Sequence, residues 1–171
     1  DNFKGSFEGC SSLTKVDIPP SVTLIDNNSF KRCSKLTEIT IPSSVTSIKD
    51  NVFAECTSLA EITIPSSVTS IGCCSFYGCT SLKQINIPSS VKTIGYCAFS
   101  NCTSLKQITI PSSIISLDES AFHGCISFER INNLSNITSI NPNLFRSCQL
   151  LVEITIPSSV TEIKDHAFMD C

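Results

Sequence analysis

The chain has 171 residues and a formal net charge of -3, from 12 basic and 15 acidic side chains. That length suits one ordinary domain, and that charge excludes the basic face of a nucleic-acid binder. No apolar run reaches the roughly 18 residues of a membrane span, and no N-terminal signal segment is visible in the sequence, which opens on Asp1 rather than Met.

In chain order, one unit of 23 residues recurs without insertion. It opens on a cysteine: Cys10, Cys33, Cys56, Cys79, Cys102, Cys125, Cys148 and Cys171. A leucine follows, from Leu13 to Leu105, then Phe128 and Leu151. Next comes an I-x-I segment, as in Ile39–Ile41 and Ile108–Ile110, whose alternation predicts a short strand with both Ile side chains on one face. A proline ends the strand because it has no N–H for a ladder, at Pro19, Pro42, Pro65, Pro88, Pro111 and Pro157. A V-x-x-I segment, as in Val45–Ile48, predicts a second extended piece on the other side of a coil. A turn then leads to the phenylalanine column from Phe7 to Phe168.

Seven complete copies occupy residues 10–170, after a partial copy at 1–9, and Cys171 opens another. Such a unit cannot bury a core alone, so stacked copies must turn each apolar column into an internal ladder. The predicted fold is a right-handed coil with a parallel sheet, 23 residues per rung. At about 4.8 Å per rung, seven rungs give a rod roughly 35 Å long. Because the chain opens in mid-repeat and ends on a ladder residue, the expectation is a piece of a longer array, with end-to-end association through uncapped repeats as a further expectation.

The L-x-x-I-x-I core resembles the leucine-rich-repeat motif. The full unit, for example Leu105 to Cys125 (LKQITIPSSIISLDESAFHGC), resembles the Treponema-type, or BspA-like, leucine-rich-repeat family. The resemblance covers essentially the whole chain. It implies a curved leucine-rich-repeat solenoid with the parallel sheet on its concave side, in the α/β class by convention though mostly β with short turns and 3-10 segments. It also implies placement on a cell surface or outside the cell, and adhesion to host matrix proteins or other cells; the family supplies no catalytic residues. One copy, residues 125–147, departs from the pattern: Asn133 replaces an inward Ile, Leu134 the Pro, and Asn136 a Ser. Drift within the repeat is the expectation there, with a bulge at Asn132–Asn133 as the alternative.

Outward positions on the predicted concave strands form a candidate binding face. One column is Asp17, Thr40, Thr63, Asn86, Thr109, Asn132 and Thr155; the column before it carries Lys15, Glu38, Glu61, Gln84, Gln107, Arg130 and Glu153. Thr also suits any solvated strand, so the face is either a recognition surface or plain sheet. Partners expected are a protein or a glycan. The reading is a non-enzymatic adhesion module, with no cofactor and no metal site; its alternative is an intracellular interaction scaffold. Ice binding by Thr arrays and a polysaccharide-active enzyme are remote alternatives.

The cysteine column reads as small buried hydrophobes. Cys73, Cys74 and Cys97 lie off it, and Cys74 and Cys97 share one repeat position in adjacent copies, which makes them a candidate disulfide or reactive pair. His123 and His166 are nearly two copies apart and do not suggest a shared site.

Overall fold

A computed structural model describes residues 5–171; the first four residues of the partial copy at 1–9 lie outside the described part. The described residues form a parallel β-solenoid without helices, in which each coil packs on the next at a register of 23 residues.

Two strips of parallel pairing run along the coil. The first is built from the I-x-I segments: β1 (Lys15–Asp17), β2 (Glu38–Thr40), β5 (Gln107–Thr109) and β7 (Arg130–Asn132). Isolated bridges Thr63 to Asn86 and Asn86 to Thr109 extend it across the intervening coils. The second strip comes from the V-x-x-I segments: β3 (Ser70–Ile71), β4 (Thr93–Ile94), β6 (Ser116–Leu117), β8 (Ser139–Ile140) and β9 (Glu162–Ile163). The strands are short because Pro ends each first segment, save that of β7 where Leu134 stands in its place, and a turn soon ends each second one. In that first turn the Val N–H closes back on the proline carbonyl, as from Val45 to Pro42 at 3.0 Å.

The core lies between the strips, and each repeat column becomes a ladder inside it. Phe53, Phe76, Phe99, Phe122 and Phe145 are wholly buried. Their rings stack nearly parallel, with centroids 5.2 Å apart for Phe76 and Phe99 and 5.7 Å for Phe122 and Phe145, which adds to simple burial. Each coil corner needs two residues in the left-handed region. One column of these is Asn28, Asn51, Cys74, Cys97, Ser120, Asn143 and His166; the other is Arg32, Glu55, Asn101, Ser147 and Asp170, with Gly9, Gly78 and Gly124 in the same register.

Polar groups tie coil to coil. The second Ser after Pro42, Pro65, Pro88, Pro111 and Pro157 donates to a carbonyl of the preceding coil, as Ser44 to Val22, Ser67 to Val45 and Ser90 to Val68, each at 2.6 Å. Thr69 and Thr161 likewise donate to the carbonyls of Thr46 and Thr138, at 3.2 and 3.3 Å. Hydroxyls held this way are committed to backbone, which counts against a free Thr array facing ice.

In the irregular copy Asn133 does not take the inward place of the Ile it replaces. Asn133 is exposed, with φ at 65°, and its Oδ1 accepts the Ser135 N–H at 3.1 Å. Leu134, one residue late, turns inward and fills the place of the missing Ile. The neighbouring strip opens at the same coil. Elsewhere a backbone N–H closes it, as from Gly95 to Ile71 at 2.9 Å; here the Asn141 side-chain amide donates to the Leu117 carbonyl at 2.6 Å.

Candidate functional site

The first strip places all the candidate face residues on one side. The I-x-I alternation sends Ile39, Ile62, Ile85 and Ile108 into the core. Their neighbours must then point out: Asp17, Thr40, Thr63, Asn86, Thr109, Asn132 and Thr155 are exposed, as are Glu38, Glu61, Gln84, Gln107, Arg130 and Glu153. Over the middle coils they line a shallow groove of about 410 Å³, with Glu61, Thr63, Gln84, Asn86, Gln107, Thr109 and Asn132 on its walls. The groove offers carboxylate, amide and hydroxyl groups in register, so it can exchange hydrogen bonds with an extended polar partner.

Charges on this face pair along the coil axis. Lys15 Nζ lies 2.9 Å from Glu38 Oε1, which raises the lysine pKa through that hydrogen bond and the carboxylate charge. Lys106 reaches Glu129 at 3.8 Å. Among the described residues, Glu61 and Lys83 form no ion pair, so both remain available to a partner. Of Glu38, Glu61, Lys83 and Lys106 along this face, two are therefore internally neutralised.

A second cavity, of about 290 Å³, is apolar and lies where Phe7, Val16, Ile18, Val22, Ile25 and Phe30 meet. Toward the other end, Val152, Ile156 and Ile163 are exposed.

All eleven cysteines are free thiols. The column cysteines do more than fill space. Cys56 Sγ donates to the carbonyl of Phe30, Cys79 to Phe53 and Cys102 to Phe76, each at 3.1 Å. Burial pushes the Cys79 and Cys125 thiols up to about 12, which keeps them protonated and unreactive. The periodicity revealed the column but not the donor role, because the accepting carbonyl belongs to the preceding coil.

Cys74 and Cys97 are brought together on neighbouring coils and are half-buried. Tyr96, which the sequence did not single out, adjoins Cys97, and that thiol is the main cause of its raised pKa. His123 is half-buried, and burial, then the Arg146 charge, lowers its pKa. No cluster of three or more metal-ligating side chains occurs among the described residues, and no helix among them is long and apolar enough to cross a membrane.

Comparison with known proteins places this coil among relatives. Residues 3–80 and 46–171 match the BspA-type leucine-rich-repeat region in six copies. A leucine-rich-repeat protein of T. pallidum is 34% identical, with a TM-score of 0.82 over 88% of this chain and 70% of that one. One from Eubacterium ventriosum is 32% identical, with a TM-score of 0.81 over 92% of this chain and 42% of the other. A leucine-rich cell surface protein from Faecalibacterium prausnitzii is 29% identical, with a TM-score of 0.61 over 96% of this chain and 53% of its own. The chain thus spans well under two thirds of the last two. No curated protein matches the sequence significantly. The chain belongs to the BspA-type leucine-rich-repeat family, whose members are generally non-catalytic interaction modules.

Proposed function

We propose that this chain is a non-catalytic recognition module whose outward strand residues bind a protein partner outside the cell, such as a host matrix or cell-surface protein. The observation that carries this reading is the groove over the middle coils, where Glu61, Gln84, Asn86, Gln107 and Asn132 stand in register on a rigid, hydrogen-bonded scaffold. Rigidity lowers the ordering cost of binding. The columns hold no aromatic anchor of the kind that dominates tight interfaces. Affinity per module is therefore modest, and arrays or clustered copies gain by multivalency. The structural likeness to a cell surface protein of F. prausnitzii supports the location.

The free thiols favour a second reading, an intracellular scaffold, since thiols persist in reducing compartments. Burial weakens that argument, because the Cys79 and Cys125 thiols are held protonated by the fold in any compartment.

Staining unpermeabilised source cells with an antibody against the repeats separates the two. Surface signal supports the adhesion reading; signal only after permeabilisation overturns it. On immobilised matrix proteins, a Thr63→Arg, Asn86→Arg, Thr109→Arg variant is expected to bind at least about tenfold more weakly, roughly the loss of one well-placed contact. Unchanged binding by a folded variant rejects the groove.

A further inference from the structure

We propose that Cys74 and Cys97 are an oxidisable pair that forms a reversible disulfide between neighbouring coils. Both occupy the same left-handed corner position, each with φ at 52°. The Cys74 N–H donates to the Tyr96 carbonyl at 2.8 Å, which fixes the two corners side by side. The Cys97 thiol lies beside Cys74 and, after burial, helps to raise the Cys74 pKa; it is also the main cause of the raised Tyr96 hydroxyl pKa. Adjacent rungs about 4.8 Å apart fall within the Cα separation that a disulfide spans.

An independent feature sits in the same two coils. Their corners read Gly72-Cys73-Cys74 and Gly95-Tyr96-Cys97, whereas the position of these glycines holds Asp26, Lys49, Asp118, Asn141 and Lys164 elsewhere. A Cβ at Gly72 would stand 2.8 Å from the Lys49 backbone carbon, and one at Gly95 would stand 2.9 Å from Cys73 N. The glycines therefore admit a close backbone approach at the corners that carry the off-column cysteines.

The column cysteines differ in kind: their thiols are spent on carbonyls inside the core. Cys74 and Cys97 keep contact with solvent, so an oxidant reaches them. Residues related by one coil translation have nearly parallel Cα–Cβ bonds, which strains the bridge and makes it easily reduced. The oxidant required is a low-molecular-weight disulfide such as oxidised glutathione. One protein thiol, as its thiolate, attacks a glutathione sulfur, releasing the first reduced glutathione and leaving a mixed disulfide. The second protein thiol, having lost its proton, displaces the second glutathione and closes the bridge. Two protein S–H bonds and one S–S bond are exchanged for a protein S–S bond and two glutathione thiols. Burial pushes the Cys74 thiol up to about 11, so the reaction quickens as pH rises.

The test equilibrates the native chain with glutathione at graded ratios of oxidised to reduced form, then quenches with acid, alkylates and digests with trypsin. Cleavage after Lys83 and Lys92 puts the two cysteines on different peptides. The expected result is a Cys74–Cys97 cross-linked peptide that dominates in wild type and in Cys73→Ser, and disappears with excess reduced glutathione. The bridged chain should melt roughly 5 °C higher. Cys74→Asn and Cys97→Asn should each abolish both effects while folding normally, since Asn28, Asn51 and Asn143 occupy this position in other coils. A dominant Cys73–Cys74 or Cys73–Cys97 linkage, or only mixed disulfides with glutathione at Cys74 and Cys97, overturns the proposal.

Discussion

The Cys79 thiol donates to the carbonyl oxygen of Phe53 in the preceding coil, at 3.1 Å, while the same oxygen accepts the Cys56 N–H, also at 3.1 Å. The carbonyl thereby uses both acceptor sites. The position needs a side chain that is small, apolar and still a donor, and cysteine meets all three needs. Cys79→Ala should cost about 1–2 kcal/mol, from a small cavity and a lost hydrogen bond. The urea midpoint would reveal it; an unchanged midpoint would show that neither the volume nor the hydrogen bond of the thiol adds stability.

The same thiols predict an alkaline limit to stability. Burial raises Cys33 to about 11 and Cys79 and Cys125 to about 12, against an ordinary value of 9.0. A folded pKa above the unfolded one means that the folded chain holds more protons between the two. Stability is then fully present below about pH 9 and falls as pH rises towards 12. Denaturant midpoints should be level from pH 7 to 8.5 and drop at pH 10.5. In the native chain, iodoacetamide should label exposed Cys73 well before Cys79 or Cys102.

Phe99 stacks on Phe76 at 5.2 Å and on Phe122 at 5.7 Å. Phe99→Ala should cost about 3–5 kcal/mol. In a solenoid stabilised by nearest-neighbour contacts, the break also weakens coupling between the two halves. Calorimetry should show a lowered and broadened transition; a sharp one at the wild-type temperature would contradict the ring column as a continuous spine.

The two serines after each proline are not equivalent. Ser67 donates to the Val45 carbonyl at 2.6 Å, whereas Ser66 is exposed. Ser67→Ala should cost about 1 kcal/mol, and Ser66→Ala close to nothing. Equal effects would show that the coil-to-coil bond adds no stability.

In the irregular copy, φ of 65° at Asn133 disfavours a β-branched side chain. Restoring the repeat consensus with Asn133→Ile should therefore destabilise, by about 1–2 kcal/mol. Asn133→Gly should be nearly neutral. Leu134→Ala should cost about 2–4 kcal/mol, because Leu134 has taken over the core position. Stabilisation by Asn133→Ile would mean that the coil returns to the regular register.

The candidate face was legible because its cause is local. Alternation about Ile39, Ile62, Ile85 and Ile108 forces the flanking Glu, Gln, Thr and Asn outward in any parallel ladder, and the structure finds those residues exposed. The outward turn of Asn133 was only partly legible. Both Asn133 and Leu134 break the repeat, but whether the polar residue is buried or looped out depends on what fills the space beside Ile110 and Ile131. Only packing decides that, and Leu134 proves long enough to reach inward from one residue later.

What the sequence determined by itself is the period, and with it the coil, the parallel register and the identity of every internal ladder, because a unit of 23 residues can bury its apolar columns only against copies of itself. What the tertiary structure alone decided is how polar groups are spent between coils: thiols on phenylalanine carbonyls, serines on valine carbonyls, an asparagine amide in place of a strand hydrogen bond. Those partners lie more than twenty residues apart and meet only once the coils are stacked, so no local pattern encodes them.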